Sequence, residues 1–158
     1  MNSAHDILAG LERFGIRMGL DHLRGLAAEL GSPERATPAV IVAGTNGKGS
    51  VASLLAAIAG AAGLATGLYT SPHLERPEER IRVSGATIPP EELAGLLREI
   101  LAAAARLGHA SPTYFEAMTM AAFLCFARRG VDLAVLEVGM GGRLDAANLA
   151  DARLAVVT

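Results

Sequence analysis

The chain has 158 residues, of which 51% are hydrophobic and 19% are charged, and its formal net charge is −2. This length suits one globular domain, and the composition excludes a disordered chain and gives no reason to expect a nucleic-acid partner. No uninterrupted apolar run is long enough to span a bilayer, and the single cysteine, Cys125, excludes an internal disulfide and fits a reducing, cytoplasmic location.

The first 37 residues are predicted to form two helices and a connector. Ser3 and Asp6 have the spacing of a helix N-cap and its third residue, which predicts a helix through about Phe14. The glycine-bounded segment 15–19 is predicted to connect this helix to a second one, which Asp21 caps and a Gly-Ser-Pro turn ends.

From residue 38 onward, apolar strands alternate with helices. The predicted strands are 39–43, 65–70, 81–83, 131–138 and 152–157, and the predicted helices are 49–62, 89–106 and 112–128. This order favours an α/β fold with a doubly wound, mainly parallel sheet of the P-loop NTPase type. Because ligands of such sheets bind beyond the carboxyl ends of the strands, residues 44–50, Ser71 and residues 137–145 are expected to share one edge.

The most informative segment follows the first strand and contains the only lysine of the chain, Lys48. The segment consists of Gly44, Thr45, Asn46, Gly47, Lys48, Gly49 and Ser50. Glycines let backbone N–H groups approach an anion, a compact ammonium suits a phosphate pocket, and the following helix N-terminus favours negative charge. The pattern therefore predicts a nucleotide phosphate-binding loop. It is not a strict Walker A motif, because Gly49 separates Lys48 from Ser50, and an ordinary glycine-rich turn is the alternative.

Glu137 ends a nearly continuous apolar strand, where an unpaired carboxylate would be costly. With a phosphate loop nearby, Mg²⁺ is the natural partner, because this ion combines a few protein oxygens with phosphate oxygens and water. Ser50 and Ser71 offer hydroxyl ligands. The alternatives are a Glu137 carboxylate that accepts loop N–H groups and a Ser71 that serves only as the turn residue before Pro72.

Three segments carry a resemblance to a known family: residues 44–50, residues 70–74 (Thr-Ser-Pro-His-Leu) with 79–81 (Glu-Arg-Ile), and residues 136–148. Together they resemble the signatures of folylpolyglutamate synthase and the bifunctional dihydrofolate synthase, members of the Mur ligase superfamily, along essentially the whole chain. The resemblance implies a ligase that uses ATP and Mg²⁺ to convert the carboxylate of dihydropteroate or a folate into an acyl phosphate, which the amine of L-glutamate then displaces. It implies a catalytic role for Lys48.

The resemblance also places a pterin pocket. It implies that Thr113 and Phe115 form one wall and that Leu144, Asp145 and Ala146 form the other, with Gly19, Leu20 and Asp21 nearby. The alternative for Phe115 is a core position, because it shares a helical face with Thr119, Ala122 and Phe126.

Members of the family are much longer, with a C-terminal domain that holds glutamate, a histidine metal ligand just beyond the last strand and a carbamylated lysine. No histidine here occupies the matching place, and His5, His22, His73 and His109 are expected to be solvated or capping residues. The chain is therefore expected to be a monomeric, incomplete Mur-ligase-like ATPase domain (1–37 helical, 38–158 the α/β core) that keeps weak nucleotide binding but does not ligate alone. A small kinase and a non-catalytic nucleotide-binding module stay open as other functions.

Overall fold

The helices and strands fall close to the predicted bounds. The computed structural model describes residues 3–11, 19–108 and 110–158, so the predicted end of the first helix, most of its connector and His109 lie outside the described residues. The α-helices are α1 (Ala4–Leu11), α2 (Asp21–Glu29), α3 (Lys48–Ala61), α4 (Pro90–Arg106) and α5 (Tyr114–Arg129). The strands are β1 (Ala39–Ala43), β2 (Thr66–Tyr69), β3 (Ile81–Val83), β4 (Ala86–Thr87), β5 (Leu133–Glu137) and β6 (Ala152–Val157). Short 3₁₀ helices span Pro33–Arg35, Pro77–Arg80 and Ala146–Leu149.

The described strands form one mixed sheet in the order β4-β3-β2-β5-β1-β6. The four strands β2, β5, β1 and β6 are parallel, which confirms the predicted mainly parallel α/β sheet. β3 runs antiparallel to β2, and β4, which was not predicted, runs antiparallel to β3. The β3–β4 connection is a two-residue turn in which Ser84 and Gly85 both have positive φ, the backbone of a tight hairpin.

Helices cover both faces of the sheet, as a doubly wound fold requires. Alternate strand residues face opposite sides: Ile41 and Leu136 pack in the large core with α1, α2, α4 and α5. Val42 and Val135 pack in a smaller cluster against α3. Because β5 lies between β1 and β2, the carboxyl ends of all three strands, and the loops that follow them, lie side by side.

The central helix is α5, in which residues 116–126 are all buried. It begins with a capping box: Thr113 Oγ1 accepts the Glu116 N–H at 3.3 Å, and Glu116 Oε2 accepts the Thr113 N–H at 2.8 Å. Cys125 is a buried free thiol in this helix, and burial raises its pKa to about 11. None of the described helices is both long and apolar enough to cross a membrane.

The two predicted N-terminal caps have different outcomes. Ser3 Oγ accepts the Asp6 N–H at 3.2 Å and Asp6 Oδ2 accepts the Ser3 N–H at 3.0 Å, which confirms the first cap. The second prediction is wrong: Leu20 occupies the N-cap of α2 without a side-chain capping bond. Asp21 is the first helical residue, and its carboxylate instead accepts from Arg24 Nη1 at 2.7 Å, an i, i+3 pair on the exposed surface.

Candidate active site

The glycine-rich loop joins the end of β1 to the start of α3. Gly44 and Gly47 have φ values of 136° and 77°, a region that residues with a Cβ rarely adopt. Gly47 is the N-cap of α3 and makes no side-chain capping bond, so the first N–H groups of the helix have no intrahelical acceptor. Lys48 Nζ lies 3.4 Å from the Thr45 carbonyl oxygen, which holds the ammonium over the same loop. This arrangement can accept an anion at a positive helix end.

Glu137 and Ser71 meet beside this loop. The Ser71 N–H donates to Glu137 Oε2 at 2.9 Å, and Glu137 is only 4% exposed. A Cβ built on Gly49 would lie 3.4 Å from Glu137 Oε2 and 3.6 Å from Oε1, so the glycine-rich loop passes close to the carboxylate. Residues from the ends of three neighbouring strands therefore converge at one point, as the strand-end rule predicts.

The donor set at this point fits a magnesium ion. Glu137 Oε2 is held by Ser71, whereas Oε1 makes no hydrogen bond to any described residue. Within the described residues, no group of three or more His, Cys, Asp and Glu side chains could hold a metal ion. A cation on Glu137 would therefore depend on hydroxyl groups such as those of Ser71 and Ser50, on phosphate oxygens and on water, which is the coordination that Mg²⁺ prefers.

A cavity of about 510 Å³ opens beside Ser71, between the start of α5 and the loop after β5. Seven of the eight residues that the resemblance assigned to a pterin pocket line it: Gly19, Leu20, Thr113, Phe115, Leu144, Asp145 and Ala146. The eighth, Asp21, is not among its lining residues, because its side chain is 97% exposed and points to Arg24. The cavity is also lined by Ser71 and Arg80, which the pterin prediction did not include.

Phe115 contributes both to the cavity wall and to the core. Its ring centroid lies 6.1 Å from that of Tyr69, which is fully buried. Thr119 Oγ1 lies 3.1 Å from the Tyr69 hydroxyl oxygen and 2.9 Å from the Phe115 carbonyl oxygen. Burial raises the pKa of Tyr69 far above its usual range, so this hydroxyl stays neutral. Phe115 therefore has both of the positions considered for it, one in the core and one at the cavity.

Asp145 organises the glycine-rich loop after β5. Its Oδ2 accepts the N–H groups of Gly139 and Met140 at 2.9 and 3.0 Å, and its Oδ1 accepts the Ala147 N–H at 2.9 Å. Burial raises the pKa of the Asp145 carboxyl, although the three N–H donors act in the opposite direction. The carboxylate thus has its donors within its own loop, and it shapes the cavity wall in addition to lining it.

A hydrogen bond that was not predicted from the sequence joins α2 to α5. His22 Nε2 lies 2.6 Å from Oε1 of Glu116, whose other oxygen accepts the Thr113 N–H. The expectation that His22 is a solvated or capping residue is therefore wrong. The Thr-x-x-Glu spacing of the capping box could have identified Glu116, but no local pattern indicates its partner 94 residues away.

Arg80 is the second residue that the sequence did not assign to the site. It is 9% exposed, and its Nε donates to His73 Nδ1 at 2.9 Å. Its Cζ lies 5.1 Å from the centroid of the Tyr114 ring. His73 was also expected to be solvated or capping, but it is a part-buried hydrogen-bond acceptor. The pKa of His73 is lowered, mainly by desolvation and to a smaller extent by the positive charge of Arg80. The Arg80 carbonyl oxygen accepts the Thr70 N–H at 3.0 Å, which places Arg80 beside the strand end that leads to Ser71.

The chain is similar in sequence and in structure to known folate-related synthases. The chain is 44% identical over 151 residues to the dihydrofolate synthase/folylpolyglutamate synthase of Escherichia coli, covering 96% of this chain and 35% of that enzyme. The structure of E. coli FolC in complex with DHPP and ADP matches 99% of this chain with a TM-score of 0.92 and 42% identity. A bifunctional folylpolyglutamate synthase/dihydrofolate synthase with Mn, AMPPNP and L-glutamate bound matches 99% of it with a TM-score of 0.88 and 34% identity.

The chain covers 38% of the neighbour in each of these two structures, so it spans little more than a third of their length. The family model for the Mur ligase middle domain matches residues 42–158, which begin in β1 and include the glycine-rich loop around Lys48, Ser71, Glu137 and the loop after β5. The chain belongs to the Mur ligase middle domain family.

Proposed function

We propose that the protein is an ATP-dependent ligase that joins L-glutamate to dihydropteroate or a folate through an acyl phosphate. The observation that carries this proposal is that the loop around Lys48 comes close to Glu137, which is hydrogen-bonded to Ser71, a residue that also lines a ligand-sized cavity. The similar structures support it, because their ligands include DHPP and ADP in one case and Mn, AMPPNP and L-glutamate in another.

Two anions must come together in such a reaction. A carboxylate oxygen of the acyl substrate attacks the γ-phosphorus of ATP, the bond to the bridging oxygen breaks, and ADP leaves with that electron pair. Unit charges ~4 Å apart repel by about 4 kcal/mol at an effective dielectric near 20. Lys48 and the free N–H groups at the start of α3 would offset this repulsion and hold the phosphates in line.

Ser50, Ser71 and Glu137 are the residues that would hold Mg²⁺, which when bound supplies positive charge to the phosphate oxygens. In the second half of the reaction the amine of L-glutamate attacks the acyl carbon. An amide bond forms, phosphate leaves with the electrons of the broken C–O bond, and the amine loses a proton.

The pterin ring would lie in the 510 Å³ cavity. Phe115 supplies an aromatic face, and Thr113, Leu144 and Ala146 supply the adjoining walls. Gly19 and Leu20 also line the cavity. We leave Asp21 out of the proposed pocket, since its side chain is on the exposed surface of α2.

The test is Lys48→Ala in the longest protein that carries this sequence, with ATP, Mg²⁺, L-glutamate and pteroate. We expect phosphate release that depends on both glutamate and pteroate in the wild type and its loss in the variant. Arg128→Ala is the matched control, because it removes an exposed cation paired with Glu99 near the far end of α5. Transfer of phosphate to a hydroxyl group would indicate a kinase instead, and binding of ATP without any turnover would indicate a binding module.

A further inference from the structure

The cavity contains a cation that forms no ion pair with any residue that the structure describes. Arg80 lines the cavity and is 9% exposed. All the ion pairs of the described residues involve other side chains, and no Asp or Glu oxygen of those residues lies within 4.0 Å of the Arg80 guanidinium nitrogens. A charge withdrawn from water is unfavourable unless an opposite charge or hydrogen-bond acceptors compensate it. A ligand anion would supply that compensation.

The contacts of Arg80 leave one edge of the guanidinium available. Its Nε–H is used by His73, and the Tyr114 ring lies over one face. The two terminal Nη groups have no acceptor among the described residues. Because these groups lie side by side in one plane, they present the paired donors that match the two oxygens of a carboxylate.

The other charged groups around the cavity are already satisfied or solvated. Glu116 is bound to His22 and to the Thr113 N–H. Asp145 accepts three backbone N–H groups. Arg143 also lines the cavity, but it is exposed to solvent, where water and salt screen its charge. Among the described residues that line the cavity, the uncompensated charge is therefore positive and is located on Arg80.

We propose that Arg80 binds the carboxylate of the acyl substrate and orients it toward the phosphate loop, an inference that rests on the proposed function. The carboxylate is the group to be phosphorylated, so it must lie at the Ser71 end of the cavity. Arg80 is at that end, because its backbone bonds to Thr70 and its side chain bonds to His73. The guanidinium thus selects an acid over a neutral ligand of the same shape.

The experiment compares two ligands in binding titrations without ATP: pteroate and its carboxamide, which lacks the negative charge. We expect the wild type to bind pteroate about ten- to a hundredfold more tightly than the carboxamide, as charge-assisted hydrogen bonds allow. In Arg80→Met the two ligands should bind equally, with carboxamide affinity close to that of the wild type. Arg128→Met is the matched control, and it should keep the preference because Arg128 is exposed and is not among the residues that line the cavity.

Each result decides one question. Equal binding of both ligands by the wild type, or an undiminished preference in Arg80→Met, would overturn the role of Arg80 and leave the proposed function standing. An equal loss of affinity for both ligands in Arg80→Met would show a structural role only. Failure of the wild type to bind either ligand would overturn the proposed function itself.

A second measurement covers the case in which Arg80→Met does not fold. In the wild-type protein, pteroate should shift the nitrogen and proton NMR signals of a buried arginine guanidinium, and the carboxamide should not. Identical spectra with the two ligands would contradict the proposal.

Discussion

Replacing Gly49 with alanine should weaken nucleotide binding without lowering the stability of the fold. The new Cβ would lie 3.4 Å from Glu137 Oε2 and 3.6 Å from Oε1, which is ordinary van der Waals contact, so the free protein can accommodate it. Gly49 has no positive φ and lies in the first turn of α3, where alanine is preferred to glycine by up to about 1 kcal/mol. We expect the free energy of unfolding to stay unchanged or to rise by no more than this amount.

Although stability should be kept or improved, the affinity of Gly49→Ala for a magnesium–nucleotide complex should fall. A magnesium ion lies about 2.1 Å from its oxygen ligands, and its other positions are filled by water and phosphate oxygens. A methyl group 3.4 Å from the carboxylate occupies space between the loop and Glu137 that those ligands need. We expect at least a tenfold loss of affinity for a magnesium complex of a non-hydrolysable ATP analogue, which corresponds to about 1.4 kcal/mol. Calorimetric titration measures the affinity, and urea denaturation measures the stability.

Gly60→Ala provides the matched control on the same helix. A Cβ at Gly60 meets no atom within 4 Å, so this variant should gain helix stability and keep wild-type affinity. Wild-type affinity in Gly49→Ala would refute the placement of the metal–phosphate complex between the loop and Glu137. A loss of stability of more than about 1 kcal/mol in Gly49→Ala would refute the steric reasoning, because overpacking would then explain any loss of binding.

Three further predictions concern the core and the loop after β2. Gly67→Ala would bring a Cβ within 2.6–2.8 Å of the Phe126 ring, which is 1% exposed and cannot move freely, so urea denaturation should show a loss of about 1–3 kcal/mol; no loss would contradict this packing. Cys125 is buried and its pKa is raised to about 11, so a disulfide reagent at pH 8 should modify the native protein only as fast as it unfolds; rapid modification would contradict its burial. Glu79 has a pKa lowered by backbone N–H donors, with that of Leu74 the largest cause, so its carbon-13 NMR titration should have a midpoint below that of a glutamate in an unfolded peptide. Because a lowered carboxyl pKa stabilises the fold at pH values above the unfolded pKa, this contribution should disappear as the pH falls through the Glu79 midpoint. A midpoint equal to or above that of the unfolded peptide would count against these hydrogen bonds.

Features that depend on neighbouring residues could be predicted from the sequence. The Ser3–Asp6 cap and the glycine loop around Lys48 each depend on residues within one or two turns, and the structure has both where they were expected. The hairpin of β3 and β4 could also have been predicted from the sequence, since Ser84-Gly85 is a turn dipeptide between two short strands. It was missed because β4 has only two residues, too few for an alternating pattern.

Features that depend on distant residues could not be predicted from one sequence. Nothing near His22 indicates that it meets Glu116, because the fold alone brings α2 against the start of α5. The same holds for Arg80, whose place at the cavity follows from the antiparallel pairing of β3 with β2. Asp21 was wrongly predicted to belong to the pocket. It follows two residues that line the cavity, but its side chain is on the exposed surface of α2.

The two sides of the site are anchored to parts of the molecule that differ in their resistance to local opening. The cavity side begins at the first turn of α5, whose residues 116–126 are buried in the large core. The phosphate side begins at the first turn of α3, which contributes Ala52 and Ala56 to a cluster of five buried residues and leaves Leu54 and Ile58 more than half exposed. Amide hydrogens of α3 should therefore exchange with solvent sooner than those of α5. A nucleotide would then bind at α3, the helix that opens more readily, and would reduce its local opening. The first turn of α5 would keep the shape of the cavity whether or not phosphate is bound.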